Sequence, residues 1–374
     1  MTRPRVLVSA VRLTDGSPVR RSGNYYLAIN LIRALARHEE IDLSVLADDD
    51  SIDDLAGVIP ARRLERVSIR GNVVRRDLAI ASAVYRIRPA VYHKPTGALP
   101  TVPLPCPTVS GIADLNFATL PMRLDKRLYK EVTHRWTARY ADHIVCISEY
   151  TRQEVLAYLR PDPARVSVIH LGSNPLTGDD DGLGARLKAA GSFWVAFAHH
   201  AHKNLETLLR ALAVNRHRGG AQFRLAVVGE GPYVSDGMRT LAQTLSVSDD
   251  VSFVGKVAAG SLRGLYQHSE GLLFPSHYEG FGLPILEAMR LGCPVVCSNV
   301  GAMPEVAGDA AVLVPPTDVE AILAAVTALR GPARHGLVER GLVRSQQFTW
   351  ERAAAETVGL YRRMLAGRSA HAAA

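Results

Sequence analysis

From Phe274 the chain runs Phe-Pro-Ser-His-Tyr-Glu-Gly-Phe-Gly-Leu-Pro-Ile-Leu-Glu-Ala-Met-Arg-Leu-Gly-Cys-Pro-Val-Val-Cys to Cys297. The apolar run from Gly271 to Phe274 predicts a buried strand. A Gly-rich turn follows, and Pro284 stands where a helix takes its first residue. Gly292 stops that helix, and Pro294 to Cys297 predicts the next strand. Strand, loop, helix and strand in this order form a crossover unit, and such a crossover joins parallel strands.

The chemistry of the unit lies in its loop. Gly280 and Gly282 let the backbone pass close to a ligand. The helix beyond them offers unpaired N–H groups and the positive end of its dipole, which suits a phosphate. Glu279 in the loop and Glu287 about one turn into the helix flank that point. A carboxylate is a poor grip for phosphate and a natural one for sugar hydroxyls. The plain alternative is an N-capped helix with a solvated glutamate on each side.

Glu279 and Glu287, eight residues apart around Gly-Phe-Gly-Leu-Pro, resemble the signature of the retaining glycosyltransferases of family four (glycosyl transferases group 1). The resemblance continues from Asn299 through Gly301-Ala-Met-Pro-Glu305 to Asp318. Upstream it takes in Val254-Gly255, Leu265-Tyr266 and His202-Lys203-Asn204-Leu205. It covers nearly the full chain and is strongest from about residue 193 onward. It implies an α/β chain of GT-B fold: two Rossmann-like doubly wound domains facing across a cleft, with a C-terminal helix crossing back to the first. The corresponding boundaries are 1–172 for an acceptor-side domain, 173–348 for a nucleotide-sugar domain and 349–366 for the crossover helix.

Length and composition agree with two domains. A chain of 374 residues exceeds one ordinary core, and 47% hydrophobic content supplies two. No apolar run reaches the length of a membrane span, and residues 1–10 predict a strand and not a signal peptide. The four cysteines, at 106, 146, 293 and 297, have no matching ligand pair, which points away from metal and toward a reducing cytoplasm. The net charge of +8 is carried mostly by arginine. Such a surplus serves nucleic acid, an anionic membrane or phosphorylated ligands, and no nucleic-acid motif accompanies it.

In the first half, Arg5 to Val11 predicts the first strand, Arg12 to Gly23 a turn-rich loop, and Asn24 to Ala36 a helix with a stripe at Leu27, Leu31, Ile32 and Leu35. Ile41 to Ala47 predicts a second strand, and residues 48–76 are the least regular part. Asp48-Asp-Asp50 contains an Asp-x-Asp, read here as solvating a loop. Arg62, Arg63, Arg66, Arg70, Arg75 and Arg76 form a basic segment with apolar residues between, either a solvated face or a contact with an inner membrane surface or an anionic acceptor. Ala90 to His93 and Thr108 to Ile112 predict further strands. Arg123 to Tyr140 predicts a helix, Asp142 to Ile147 and Arg165 to Leu171 strands, and Ser148 and Thr151 offer caps, Thr151 with Glu154 in capping-box spacing. Gly172 to Gly191 predicts a linker.

In the second half, Phe193 to Ala198 predicts a strand, followed by the turn His199-His-Ala-His-Lys-Asn-Leu205 and a helix. Phe223 to Val228, Val251 to Val254 and Ala310 to Val314 predict strands, and ligands bind outside the carboxyl ends of such strands. Asp318 begins the C-terminal helices. Phe348-Thr-Trp350 resembles the start of the family's last helix, and the Ala-rich tail from Ala366 is expected to be disordered.

What the resemblance implies for the site is specific. Lys203, Gly23 and the backbone of Phe281, Gly282 and Leu283 would hold a diphosphate. Glu287 would accept from ribose hydroxyls, Glu279 from the sugar ring, and Val254 with Gly255 would lie against the base. The family places an Arg beside the Lys. That Arg is absent, which leaves His199, His200 or His202 to substitute. Where the family often has His-Asp, this chain has Ala113-Asp114, so Asp114 is the ionisable residue left and His93 a candidate to fill the space. Lys203, Glu279 and Asp114 are the catalytic candidates. The implied reaction transfers a sugar from a nucleotide-diphosphate sugar to an acceptor hydroxyl, with no metal and no cofactor beyond the donor. The acceptor is a small molecule, a glycan or a lipid-linked sugar.

Other classes share parts of the pattern. A GT-B sugar epimerase or phosphorylase lacks the Glu pair around Gly-Phe-Gly-Leu-Pro. A dehydrogenase needs Gly-x-Gly-x-x-Gly after the first strand, which this chain lacks. A non-catalytic nucleotide-sugar-binding protein stays open, and donor hydrolysis separates it from an enzyme.

Overall fold

The computed structural model describes residues 3–11, 23–67, 73–231 and 233–372. It divides into two compact units, Met1–Gly172 with Thr349–Ala374, and Ser173–Phe348.

The first unit runs β1 (Arg5–Ser9), α1 (Gly23–Leu35), β2 (Asp42–Ala47), α2 (Asp49–Leu55), β3 (Leu64–Arg66), α3 (Val73–Ile87), β4 (Val91–Lys94), β5 (Thr108–Ile112), α4 (Asn116–Thr119), α5 (Leu124–Tyr140), β6 (His143–Cys146), α6 (Glu149–Tyr158) and β7 (Val166–Val168). Its strands form one parallel sheet in the order β3-β2-β1-β4-β5-β6-β7. Every residue of β4 and β5 is buried, as expected of strands covered on both faces. Gly111 in β5 has a packing reason: a Cβ there would lie 1.8 Å from the Pro95 carbonyl oxygen. Backbone cannot retreat as a side chain can, so Gly111→Ala is expected to lower unfolding stability by about 1–3 kcal/mol, read as a shifted denaturant midpoint.

The second unit runs α7 (Leu183–Ala189), β8 (Phe193–Phe197), α8 (Leu205–His217), β9 (Arg224–Val228), α9 (Arg239–Thr244), β10 (Val251–Gly255), α10 (Ala259–His268), β11 (Leu272–Phe274), α11 (Leu283–Arg290), β12 (Val295–Ser298), α12 (Met303–Ala307), β13 (Val312–Val314), α13 (Val319–Ala328) and α14 (Ala333–Gln346). Its sheet is parallel, in the order β10-β9-β8-β11-β12-β13. The fully buried β8 packs Trp194 and Ala196 into a core with Leu205, Leu208 and Leu212 of α8.

The last helix, α15 (Trp350–Ala372), belongs to the first unit and packs on α1. Arg37 and Arg362 pair with Glu351 and Glu40 at 2.7 Å each. Gly172 makes room for the returning chain, since a Cβ there would sit 2.3 Å from the Trp350 amide nitrogen.

Several expectations are corrected. Asp48 does not solvate a loop: it is buried and caps α2, its Oδ1 accepting from Ser51 N–H at 2.9 Å while Ser51 Oγ accepts from Asp48 N–H at 2.9 Å. Of the two caps expected for α6, Ser148 is the one used, accepting from Thr151 N–H, so the Thr151–Glu154 spacing is not its box. The stretch 172–191 holds α7, locked on α10 where Gly184 meets the Gly264 carbonyl. Pro284 is the second residue of α11, and the Ala-rich tail continues α15 as far as Ala372. The arginine segment is not one face. Arg63 pairs with Asp42 and Arg66 with Asp49, each at 2.7 Å, and Arg76 is buried against Asp77 at 2.6 Å. Arg70 lies outside the described residues.

Candidate functional site

In the second sheet the strand order reverses between β8 and β11. Open parallel sheets bind ligands outside the carboxyl ends of the strands at such a switch point. The turns that leave these two strands are tied together. His277 N–H donates to the His202 carbonyl at 2.8 Å, and Asn204 Nδ2 donates to the Pro275 and Pro316 carbonyls at 2.9 and 2.7 Å. Asn204 holds a left-handed conformation, φ +59°, which Asn tolerates better than most side chains, and α8 starts directly after it.

That clamp sets Lys203 against Glu279. Lys203 Nζ lies 2.7 Å from Glu279 Oε1, with the side chains only 11% and 12% exposed, and 4.8 Å from the centroid of the Phe274 ring. The Glu279 carbonyl accepts from Ala302 N–H at 3.1 Å. Gly301, φ +66°, is needed beside it, because a Cβ there would come 3.1 Å from that oxygen. Expected as two separate contacts, Lys203 and Glu279 form one charge-assisted pair.

Three histidines surround this cation. The rings of His200 and His202 stack at 5.6 Å, and His199 meets Phe197 edge-on at 5.7 Å. Burial, then the charge of Lys203, lowers His199 and His202 to about 4, and the same two causes lower His200. They are neutral imidazoles near pH 7. Among the described residues no group of three or more His, Cys, Asp or Glu could hold a metal ion. His199 also packs on Gly229, whose Cβ would fall 2.7 Å from His199 Nδ1. Gly229 N–H in turn donates to the Gly255 carbonyl at 2.9 Å. The ends of β8, β9 and β10 thus gather around Val254 and Gly255, and among the described residues beyond its chain neighbours no atom comes within 4 Å of a Cβ on Gly255.

On the other side Gly282, left-handed at φ +103°, precedes α11, and Phe281 is buried with its ring edge-on to Phe348 at 5.8 Å. Glu287 is not solvated, as the plain alternative would have it. It is 8% exposed, and burial pushes its carboxyl up to about 7 against the opposing effect of Asn174, whose Nδ2 donates to it at 3.5 Å.

The remaining candidates sit in the first unit. Asp114 follows β5, half-buried, with Oδ1 accepting from Asn116 N–H at 3.0 Å. Gly23 is the exposed first residue of α1, and residues 12–22 before it lie outside the described residues. His93 does not fill the space beside Ala113. It is fully buried, 2.5 Å from Tyr361 Oη of α15, and lowered to about 3 by burial. It is a structural histidine.

Two family models divide the chain between them: Glycosyltransferase Family 4 matches residues 26–175, and Glycosyl transferases group 1 matches residues 192–330. The chain belongs to the family 4, group 1 glycosyltransferases. This glycosyltransferase is 27% identical over 371 residues to the O-antigen chain mannosyltransferase B of Escherichia coli, covering 92% of this chain and 96% of the relative. Its fold is GT-B. A sucrose-phosphate synthase from Thermosynechococcus elongatus superposes with a TM-score of 0.77 at 21% identity, over 98% of this chain and 100% of that one. Anabaena HepE in complex with UDP and glucose superposes at 0.74 and 18% identity, over 95% and 99%.

Two residues of this candidate site have no role assigned from sequence. Asn204 carries a signal, an Asn just before a helical stripe, a residue type that tolerates left-handed backbone. Asn174 carries none, because it lies 113 residues from Glu287 in the segment read as a linker.

Proposed function

We propose that this glycosyltransferase moves a hexosyl group from a nucleotide-diphosphate sugar to an acceptor hydroxyl, with retention at the anomeric carbon and without a metal ion. The observation that carries this is the Lys203–Glu279 pair at the switch point of the second sheet. In the transition state positive charge develops on the sugar ring and negative charge on the departing phosphate. An ammonium held in place by Glu279 and Phe274 stabilises the phosphate without reorganising, as the N–H groups at the start of α11 do beside it. Glu279 accepts from sugar hydroxyls, Glu287 from the ribose, and the open edge at Val254 and Gly255 takes the base. The leaving phosphate oxygen takes the acceptor proton on the face it departs from, so the bond formed replaces the bond broken on the same side. Likeness to an O-antigen chain mannosyltransferase supports a growing glycan, or a lipid-linked sugar, as acceptor.

A thermal-shift screen of UDP, GDP, dTDP and ADP sugars tests the donor class. A donor at a hundred times its dissociation constant stabilises by about 2.7 kcal/mol. Proton NMR of the first-formed glycoside is expected to show the donor's own anomeric configuration. Turnover is expected to survive EDTA, because a cation and a helix terminus already face the phosphate. Loss of turnover in EDTA, restored by a divalent ion, rejects the metal-free mechanism.

A further inference from the structure

Large apolar side chains that face water are concentrated in one part of the first unit. Of twelve exposed large hydrophobics among the described residues, seven lie on two helices: Val74, Leu78 and Tyr85 of α3, and Leu124, Leu128, Val132 and Tyr140 of α5. Leu124, Leu128 and Val132 are 80%, 61% and 55% exposed and are spaced four residues apart, so they form one stripe along α5. Its opposite face, with Thr133, His134, Thr137 and Ala138, is buried. Scattered exposed apolar residues are ordinary, whereas a contiguous stripe marks an interaction surface.

The two helices are strapped to a common segment. Asp77 of α3 accepts from Thr101 N–H at 2.8 Å, Trp136 of α5 donates to the Pro100 carbonyl at 3.1 Å, and Arg76 reaches Tyr129 Oη at 3.4 Å. Trp136 and Tyr140 pack ring to ring at 4.2 Å at one end, an amphipathic pair of the kind that settles at headgroup depth.

Charge identifies the occupant. Residues 123–140 carry Arg123, Lys126, Arg127, Lys130, Arg135 and Arg139 against Asp125, which pairs with Arg123 at 3.0 Å, and Glu131, which pairs with Arg135 at 2.6 Å, so the positive charges still outnumber the negative. A self-complementary dimer would set this positive surface against its own copy, which like charge disfavours. An anionic bilayer accepts both parts, the stripe into the acyl boundary and the long basic side chains into the headgroups. No helix among the described residues is long and apolar enough to cross a membrane. We infer that α5, with the exposed face of α3 beside it, is a surface that docks onto an anionic phospholipid membrane. This moves the expected membrane contact away from the Arg62–Arg76 segment, in which Arg76 is buried against Asp77.

The test is co-sedimentation of the full chain with vesicles of phosphatidylcholine alone, or with about one-third phosphatidylglycerol. The wild type is expected to pellet with the anionic vesicles only. Leu124→Ser with Leu128→Ser and Val132→Ser is expected to weaken that binding by roughly tenfold or more. Arg127→Gln with Arg139→Gln is expected to weaken it by roughly fivefold per charge, in a salt-dependent way. All five positions are exposed, so thermal midpoints should stay put. Wild type in the supernatant with both vesicles, equal binding to neutral vesicles, or triple and double variants that both bind as tightly as wild type would each overturn the proposal. So would a wild-type dimer that the triple variant turns into a monomer, which would make a second copy the occupant.

Discussion

Replacing Lys203 with methionine is expected to lower kcat/KM for sugar transfer by about 10²–10³, the usual loss when one preplaced electrostatic group is taken from a transition state. Two effects contribute. The ammonium that the proposed reaction sets against the departing phosphate is gone, and the Glu279 carboxylate, 2.7 Å away and only 12% exposed, loses its partner. An unpaired, largely buried carboxylate destabilises the fold by about 3 kcal/mol, and it also repels an incoming diphosphate. The double variant Lys203→Met with Glu279→Gln separates these effects. Its thermal stability is expected to return close to wild type, because no charge is left stranded, while transfer stays low. Recovery of transfer along with stability would reduce the pair to a structural link, and the measurement is a double-mutant cycle on both quantities.

The sequence was most legible where local pattern and packing agree. The unit from β11 to β12 was read from Gly271, Pro284, Gly292 and Pro294 because the apolar runs there are buried on both faces. Residues that act by tertiary pairing were not legible. Nothing in Asp48-Asp-Asp50 separates a solvated acidic loop from a capped helix, since the deciding fact is burial of Asp48 beneath α2. Arg76 reads as one more arginine in a basic run, yet Asp77 beside it and Tyr129 from α5 hold it inside. His93 sits at the carboxyl end of a strand, where a ligand contact is reasonable. Its actual partner, Tyr361, lies 268 residues along the chain on a helix that returns to the first unit. Glu279 and Glu287 look alike in sequence, but one is paired with a cation and the other is buried beside an amide.

Glu287 therefore titrates where few carboxyls do, and nucleotide binding is expected to follow it. With its carboxyl pushed up to about 7 by burial, Glu287 is half protonated at neutral pH in the donor-free protein. A carboxyl raised above its unfolded value near 4.5 favours the fold at low pH. That contribution is full below about 4.5 and is lost as pH rises through about 7. Glu287→Gln removes the buried charge, so the variant should gain thermal stability relative to wild type as pH goes from about 5 to 8. Binding responds in the opposite sense. Ribose hydroxyls donate to a carboxylate, so a donor that needs the ionised form binds up to about tenfold more weakly for each pH unit below about 7, with a proton released on binding. A nucleotide-diphosphate sugar is the probe, because it lacks the terminal phosphate proton that a free nucleotide loses near pH 6. His199 and His202, lowered to about 4 by burial and Lys203, would take up protons beside a diphosphate and push affinity the other way. Their contribution persists in Glu287→Gln, so the difference between the two proteins isolates Glu287. Calorimetry at several pH values, in two buffers of unlike ionisation enthalpy, reads affinity and proton release together. Equal affinity and equal pH dependence in wild type and variant would end the assignment of Glu287 to the ribose.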